Sequence, residues 1–543
     1  MARNPGSMVP VLTANAPPRN DGPRLAASRR PGGGGWCFCA RGAKSPPMTL
    51  HNNLDFAATL AFPSQAIING KLAAALSGKA FANTSPRDGK VLNQVAECGA
   101  EDVNAAVKAA RAAFEDGRWR TKHPREKKKI MFRLAELMER DAKELAFLES
   151  LDMGKPVHDC LAIDIPTSVN SIRWYAEALD KVYGEVATTP ADRLSYVVRE
   201  PLGVVGAIVP WNFPLHMACW KVAPALAMGN SIVLKPAEQS PLTALKLGQL
   251  ALEAGVPEGV LNVVPGFGEH AGQALARHMD VDLIAFTGSG EVGRKLMIYA
   301  GESNLKRVAL ELGGKSPQIV FADAEDLDAA AEAAAWGIFF NQGEVCNAAS
   351  RLLVEHSIKD AFLEKVLAKS KAYMPGDPLD PASSTGALVS EGQMKRVLGY
   401  VDVARKEGAT LALGGQRVRA ESGGFYVEPT VFDNVMNTHT LAREEVFGPV
   451  LGVIAFNGED EAVRIANDTV YGLASGMWTS NISRAHRVAR KLRSGLVWIN
   501  GWDACDITVP FGGAKQSGFG RDRSLHALEK YTELKGISVT YRA

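Results

Sequence analysis

No stretch of this 543-residue sequence approaches the ~18 uninterrupted apolar residues that a membrane helix needs, which argues against a membrane-spanning protein. It also lacks charge of one sign. Lys+Arg number 61 against Asp+Glu 59, so no basic stripe marks a nucleic-acid binder. Cysteine is scarce: seven (37, 39, 98, 160, 219, 346 and 505), an odd number at irregular spacings, which excludes a disulfide framework and points to a reducing, cytoplasmic compartment. Cys37 and Cys39 have no second ligand pair or His cluster near them, so no zinc site, and no other metal site, is expected.

Acid is almost missing from residues 1–47, where Asp21 stands alone among Pro, Gly and Arg; this extension is expected to be disordered. It reads either as an organelle-targeting peptide or as a non-native start upstream of Met48. The second is preferred, because the prolines and glycines would break a targeting helix.

What is present is an alternation. Between Leu202 and Asp323, short apolar runs ("VVGAIVP", "SIVLKP", "VLNVVPG", "LIAFTGS", "RVALELGG", "PQIVFAD") alternate with helical segments at 217–228, 240–254, 271–278 and 291–300. Apolar strands joined by helices predict a parallel sheet covered on both faces, a doubly wound α/β nucleotide-binding architecture. Upstream, one helix is expected over 100–117 and a single amphipathic run over 124–154 that stops at Gly154; a second αβ series from 326 forms its own core. Residues 180–201 alternate as a protruding hairpin would, with "LKGISVTYRA" at the C-terminus as a partner strand.

"GSGEVG" (Gly288–Gly293) matches G-x-G-x-x-G between a strand and a helix. The acid expected about 20 residues on would be Glu311, but Lys235 and Glu238 in "SIVLKPAEQSP" suit the ribose hydroxyls better. A carboxylate there repels a ribose phosphate and favours NAD over NADP.

"PWNFP" (210–214), "KPAE" (235–238), "FTGS" (286–289), "LELGGKSP" (310–317), "NQGEVC" (341–346), "EEVFGPV" (444–450) and "PFGGAKQSGFGRD" (510–522) together resemble the NAD(P)-dependent aldehyde dehydrogenase superfamily, from about Met48 to the end. The resemblance implies a cofactor domain in two parts (48–180 and 200–312), a bridging hairpin (181–199), a catalytic domain (313–525) and a C-terminal bridging strand (526–543), with assembly as a homodimer or homotetramer.

It also implies the chemistry. Cys346 would attack an aldehyde as thiolate, and an ordinary thiol near pKa 8.5 is only a few per cent ionised at neutral pH. Asn212 and the Cys346 N–H would hold the thiohemiacetal oxyanion, hydride would pass to NAD to leave a thioester, and Glu311 would activate the water that hydrolyses it. Gly288 and Ser289 fall in the cofactor turn. Glu445, Phe447 and Trp211 would hold the nicotinamide ribose, brace the ring and border the cofactor. Ala349 and Gly290 depart from the usual Gly and Thr, and Ala349 would add strain if its position needs positive φ.

Further segments ("LDMGKP", "IRWYAEALDKVYGEVATTP", "GRDRSLHALEKYTELK") resemble the bacterial branch that oxidises ω-amino-aldehydes of polyamine breakdown. On that reading Asp506 faces the substrate tail, Tyr175 and Trp502 line the entrance, and Cys505 borders it. A broad-specificity or betaine-aldehyde-type dehydrogenase would keep the same catalytic residues, and a non-catalytic paralogue would have lost them.

Overall fold

The computed structural model describes residues 49–541 apart from Cys505; the extension 1–47 and the Cys505 expectation lie outside the described residues. Five of the six apolar runs between 202 and 323 pair as anticipated; the sixth, Pro317–Val320, joins the second sheet instead. In one eight-stranded sheet, Leu261–Val263, Ser231–Lys235, Val204–Ile208, Leu283–Gly288 and Arg307–Leu312 lie side by side and parallel. Their chain order reverses between Val204–Ile208 and Leu283–Gly288, and a crevice forms where the carboxyl ends of two such strands diverge. Antiparallel Ala66–Ile68 and Lys71–Ala73 finish one edge, and Gly518–Phe519 finishes the other against Arg307–Leu312.

The second αβ series builds a seven-stranded sheet in the order Thr410–Leu413, Thr430–Asp433, Val450–Phe456, Arg351–Glu355, Pro317–Val320, Ala474–Trp478, Leu496–Ile499. It is parallel except at Thr410–Leu413. Strand Thr532–Thr540 runs antiparallel to Arg193–Pro201, which in turn pairs with Glu185–Ala187.

Three helical expectations need correction. The run 124–154 is two helices, Pro124–Arg140 and Ala142–Met153, broken at Asp141 (φ −97°, ψ 17°). The break turns an amphipathic helix into one that is nearly all buried. The helix expected at 271–278 shrinks to Gln273–Arg277, entered through a wide π-type turn at Gly268–Gly272. A helix not anticipated, Ile165–Ala178, packs against Pro124–Arg140 and Pro214–Ala227. No described helix is long and apolar enough to cross a membrane.

Candidate active site

Helix Leu327–Phe339 ends in a turn with three consecutive left-handed residues, Asn341 (φ 50°), Gln342 (φ 56°) and Gly343 (φ 73°). The chain then straightens and offers Cys346, which is only partly covered. Burial of its surroundings pushes the Cys346 thiol well above its ordinary value, and the charges of Glu311, Glu445 and Asp503 push the same way. A thiol so placed stays protonated until a base takes its proton.

Asn212 comes from the loop after Val204–Ile208, on one side of the crevice. Its side chain is buried, and Nδ2 donates to the Glu344 carbonyl at 2.9 Å. An amide nitrogen carries two protons, so one fixes the group and the other remains to donate. Asn341 Nδ2 donates back to the Asn212 carbonyl at 3.1 Å, tying the two loops together.

Glu311 is the penultimate residue of Arg307–Leu312, opposite Thr287 on one side and Gly518 on the other. It is 4% exposed, and Oε1 has no hydrogen-bond partner among the described residues. Burial first, then the charge of Asp522, pushes its carboxyl up to about 8. An idle, destabilised carboxylate is a proton acceptor tuned close to neutrality.

Asp522 was not anticipated as a site residue. It is buried and bonded to both Lys221 and Lys530. Burial alone would raise its carboxyl, but the two ammonium groups hold it below the usual range. A lysine in the apolar helix Pro214–Ala227 was the available signal, since a buried cation demands a partner; the partner, 301 residues away, had none.

The residues fit a dinucleotide. Lys235 Nζ lies 3.0 Å from Glu238 Oε2, with the lysine side chain 4% exposed, so the two are no loose surface pair. Gly288 closes the strand at the crevice, where a Cβ would come within 2.5 Å of the Phe286 ring. Ser289 caps helix Gly290–Gly301 by accepting from the Val292 N–H, leaving a helix N-terminus facing the crevice for phosphate oxygens. Trp211 and Phe447 meet edge to face at 5.2 Å. Glu445 Oε1 accepts from the Gly314 N–H at 2.9 Å, and burial pushes this carboxyl up to about 7. Gly313 admits it: a Cβ there would stand 1.9 Å from Glu445 Oε2.

The substrate-side expectations fare differently. Tyr175 is fully buried, with its hydroxyl donating to the Ser524 carbonyl at 3.2 Å; it is a core residue and lines no opening. Trp502 is buried too, against Trp498 at 5.0 Å and over Gly337 and Gly476. Both correct the entrance assignment, because their flat faces are spent on packing. Asp506 is half-buried and caps its own turn, Oδ1 accepting from the Thr508 N–H (2.8 Å) and hydroxyl (2.6 Å). The acid beside Cys346 is instead Asp503, whose Oδ1 accepts from Asn347 Nδ2 at 2.8 Å. Ala349 does not adopt positive φ, and its methyl faces Gly337, so the expected strain is absent. Among the described residues no three His, Cys, Asp or Glu side chains gather as a metal site requires.

Residues 73–537 match the family model described as the aldehyde dehydrogenase family. The chain is 50% identical to the NADP/NAD-dependent aldehyde dehydrogenase PuuC of Escherichia coli, over 90% of this chain and 98% of that one. A crystal structure of gamma-glutamyl-gamma-aminobutyraldehyde dehydrogenase from Burkholderia cenocepacia superposes with a TM-score of 0.90 at 56% identity, covering 91% of this chain and all of that one. An indole-3-acetaldehyde dehydrogenase complexed with NAD+ gives the same TM-score, identity and coverage.

Proposed function

The chain belongs to the aldehyde dehydrogenase family, and from that premise we propose that it oxidises an ω-amino-aldehyde to the acid, with NAD as acceptor, through Cys346, Asn212 and Glu311. What supports this reading is a partly open Cys346 thiol that feels the charge of Glu311, a buried Glu311 whose Oε1 has no partner among the described residues, and an Asn212 amide bonded to the carbonyl two residues before Cys346.

Cys346 Sγ bonds to the carbonyl carbon, its proton going to a base. Glu311, near enough for its charge to act on the thiol, is the acceptor at hand. The spare Nδ2 proton of Asn212 and the Cys346 N–H receive the oxyanion; losing one such donor typically costs about 2.7–4 kcal/mol of barrier. When bound, NAD accepts the hydride that leaves the former aldehyde carbon. The acyl group stays on Sγ as a thioester; Glu311, having released the thiol proton to solvent, draws a proton from the water that attacks the thioester, so the acid departs and the thiolate returns. Lys235 and Glu238 would hold the adenosine ribose, the turn Gly288–Ser289 the phosphates, Glu445 the second ribose, and Trp211 and Phe447 would frame the nicotinamide.

For the substrate, Asp503 beside Cys346, with Asp506 on the same loop, supports a cationic or polar tail, as do relatives named for amino-aldehydes. The equal likeness to an indole-3-acetaldehyde dehydrogenase favours a second reading, a dehydrogenase of broad scope. NADH production separates them. A kcat/KM for 4-aminobutyraldehyde or its γ-glutamyl derivative at least tenfold above butyraldehyde, about 1.4 kcal/mol, is the expected result, with Cys346→Ala as blank. Equal values select the broad reading. We further read the protein as a cytoplasmic homodimer or homotetramer, assembled through the exposed edges of the three-stranded sheet formed by 181–199 and 526–543. On this reading 48–180 and 200–312 form the cofactor domain and 313–525 the catalytic domain, with Asn212 and Glu311 reaching the chemistry from the first and Glu445 and Phe447 reaching the cofactor from the second.

A further inference from the structure

We propose that Glu344 is a positioning residue for the reaction at Cys346: its side chain anchors the peptide whose carbonyl aims the Asn212 amide at the oxyanion. This rests on the reading above, in which Asn212 is an oxyanion donor.

The nucleophile's loop is strained. Asn341 and Gln342 are non-glycine residues in left-handed backbone, and such geometry persists only where neighbours over-determine it. Asn341 is held by the Asn212 and Glu344 carbonyls, and Gln342 and Glu344 by one segment, 386–389. Gln342 Nε2 donates to the Ala387 carbonyl at 3.1 Å and its Oε1 accepts from the Gly386 N–H at 3.2 Å. Glu344 Oε1 accepts from the Val389 N–H at 3.0 Å.

Glu344 is fully buried, and Oε2 has no hydrogen-bond partner among the described residues. Burial holds its carboxyl well above the usual carboxylate range. Its Oε1 works as an acceptor that satisfies a buried N–H, a task the oxygen of an amide also does and an alkyl group cannot do. Its own carbonyl meanwhile receives Asn212 Nδ2 at 2.9 Å and Asn341 Nδ2 at 3.1 Å. Release residue 344 and the carbonyl moves, taking with it the bond that orients Asn212.

The test is a double-mutant cycle on kcat for an aldehyde at saturating NAD, with melting temperature recorded for each variant. Asn212→Ala alone tests the underlying reading, which fails if the rate is kept. Glu344→Gln is expected to stay within about threefold of the parent. Glu344→Leu, of similar size without the acceptor, should lose about tenfold or more in kcat with KM nearly unchanged. In the Asn212→Ala background the same change should cost less than about threefold, because its effect runs through Asn212. Equal losses in both backgrounds overturn the proposal. So does a Glu344→Gln variant that loses tenfold, and this arm stands alone should Glu344→Leu fail to fold.

Discussion

Glu311, lifted to about 8, is mostly protonated at pH 6.5 and mostly ionised at pH 9, and only the ionised form takes a proton. Steady-state kcat is therefore expected to rise through pH 8 and level above it, a profile that initial rates from pH 6 to 9.5 would trace. Glu311→Gln should still form the thioester wherever solvent removes the thiol proton, then stall: rapid mixing would show at most one NADH per site, with turnover down about 100-fold or more. On the proposed reading, cofactor choice rests on another carboxylate, Glu238. Glu238→Ser should raise kcat/KM for NADP relative to NAD by about tenfold, as a repelling charge is removed from the ribose site; an unchanged ratio would place the discrimination elsewhere. Cys346 was legible in the sequence because its motif is contiguous. Lys221–Asp522 and Asn347–Asp503 were not, because each pair meets only through the fold. Tyr175 misled for a related reason: an aromatic on an unforeseen helix carries no mark of which face it buries.

Among the elements, parallel strands were readable as apolar runs because both faces of the sheet are covered. Helix boundaries were less so. Nothing in "MERDAKE" announces a break, yet Asp141 leaves the helical region and redirects the next helix into the core. Gly154, which ends that helix at φ 87°, has a consequence at the nucleophile. Its carbonyl accepts from the Ala387 N–H at 3.0 Å, and a Cβ would stand 2.3 Å from the Ala387 oxygen. Ala387 is the residue that receives Gln342. Gly154→Ala should destabilise by about 2–4 kcal/mol through backbone strain and overpacking together, measurable by denaturant unfolding, and should lower activity in the molecules that remain folded.

Over the whole molecule, burial lifts Glu149, Asp152 and Glu311 to about 8 and Glu445 to about 7, and raises Asp164 and Glu344 as well. Between their ordinary values near 4 and these folded ones, the native state holds more protons than the unfolded state, so stability falls as pH rises. His216, pushed down to about 3, and His278, also lowered, act oppositely below about pH 6.5, and above about pH 7 so do the buried lysines, Lys315 lowered to about 7 and Lys127, Lys306 and Lys530 to about 8. Melting temperature should fall from pH 6.5 to 7.5 and level toward pH 8 as the lysines offset the carboxyls, and a rising curve between pH 6.5 and 7.5 in calorimetry would contradict the assigned burial. The edge pairing of Arg307–Leu312 with Gly518–Phe519 has a consequence for synthesis. Roughly 200 residues separate the strand that bears Glu311 from the strand that covers it, so at about 5–20 residues per second the nascent chain waits roughly 10–40 s with that edge bare. During that interval the first sheet is a sticky intermediate on the ribosome, and a chain stalled before Gly518 is a seed for aggregation as well as an inactive enzyme.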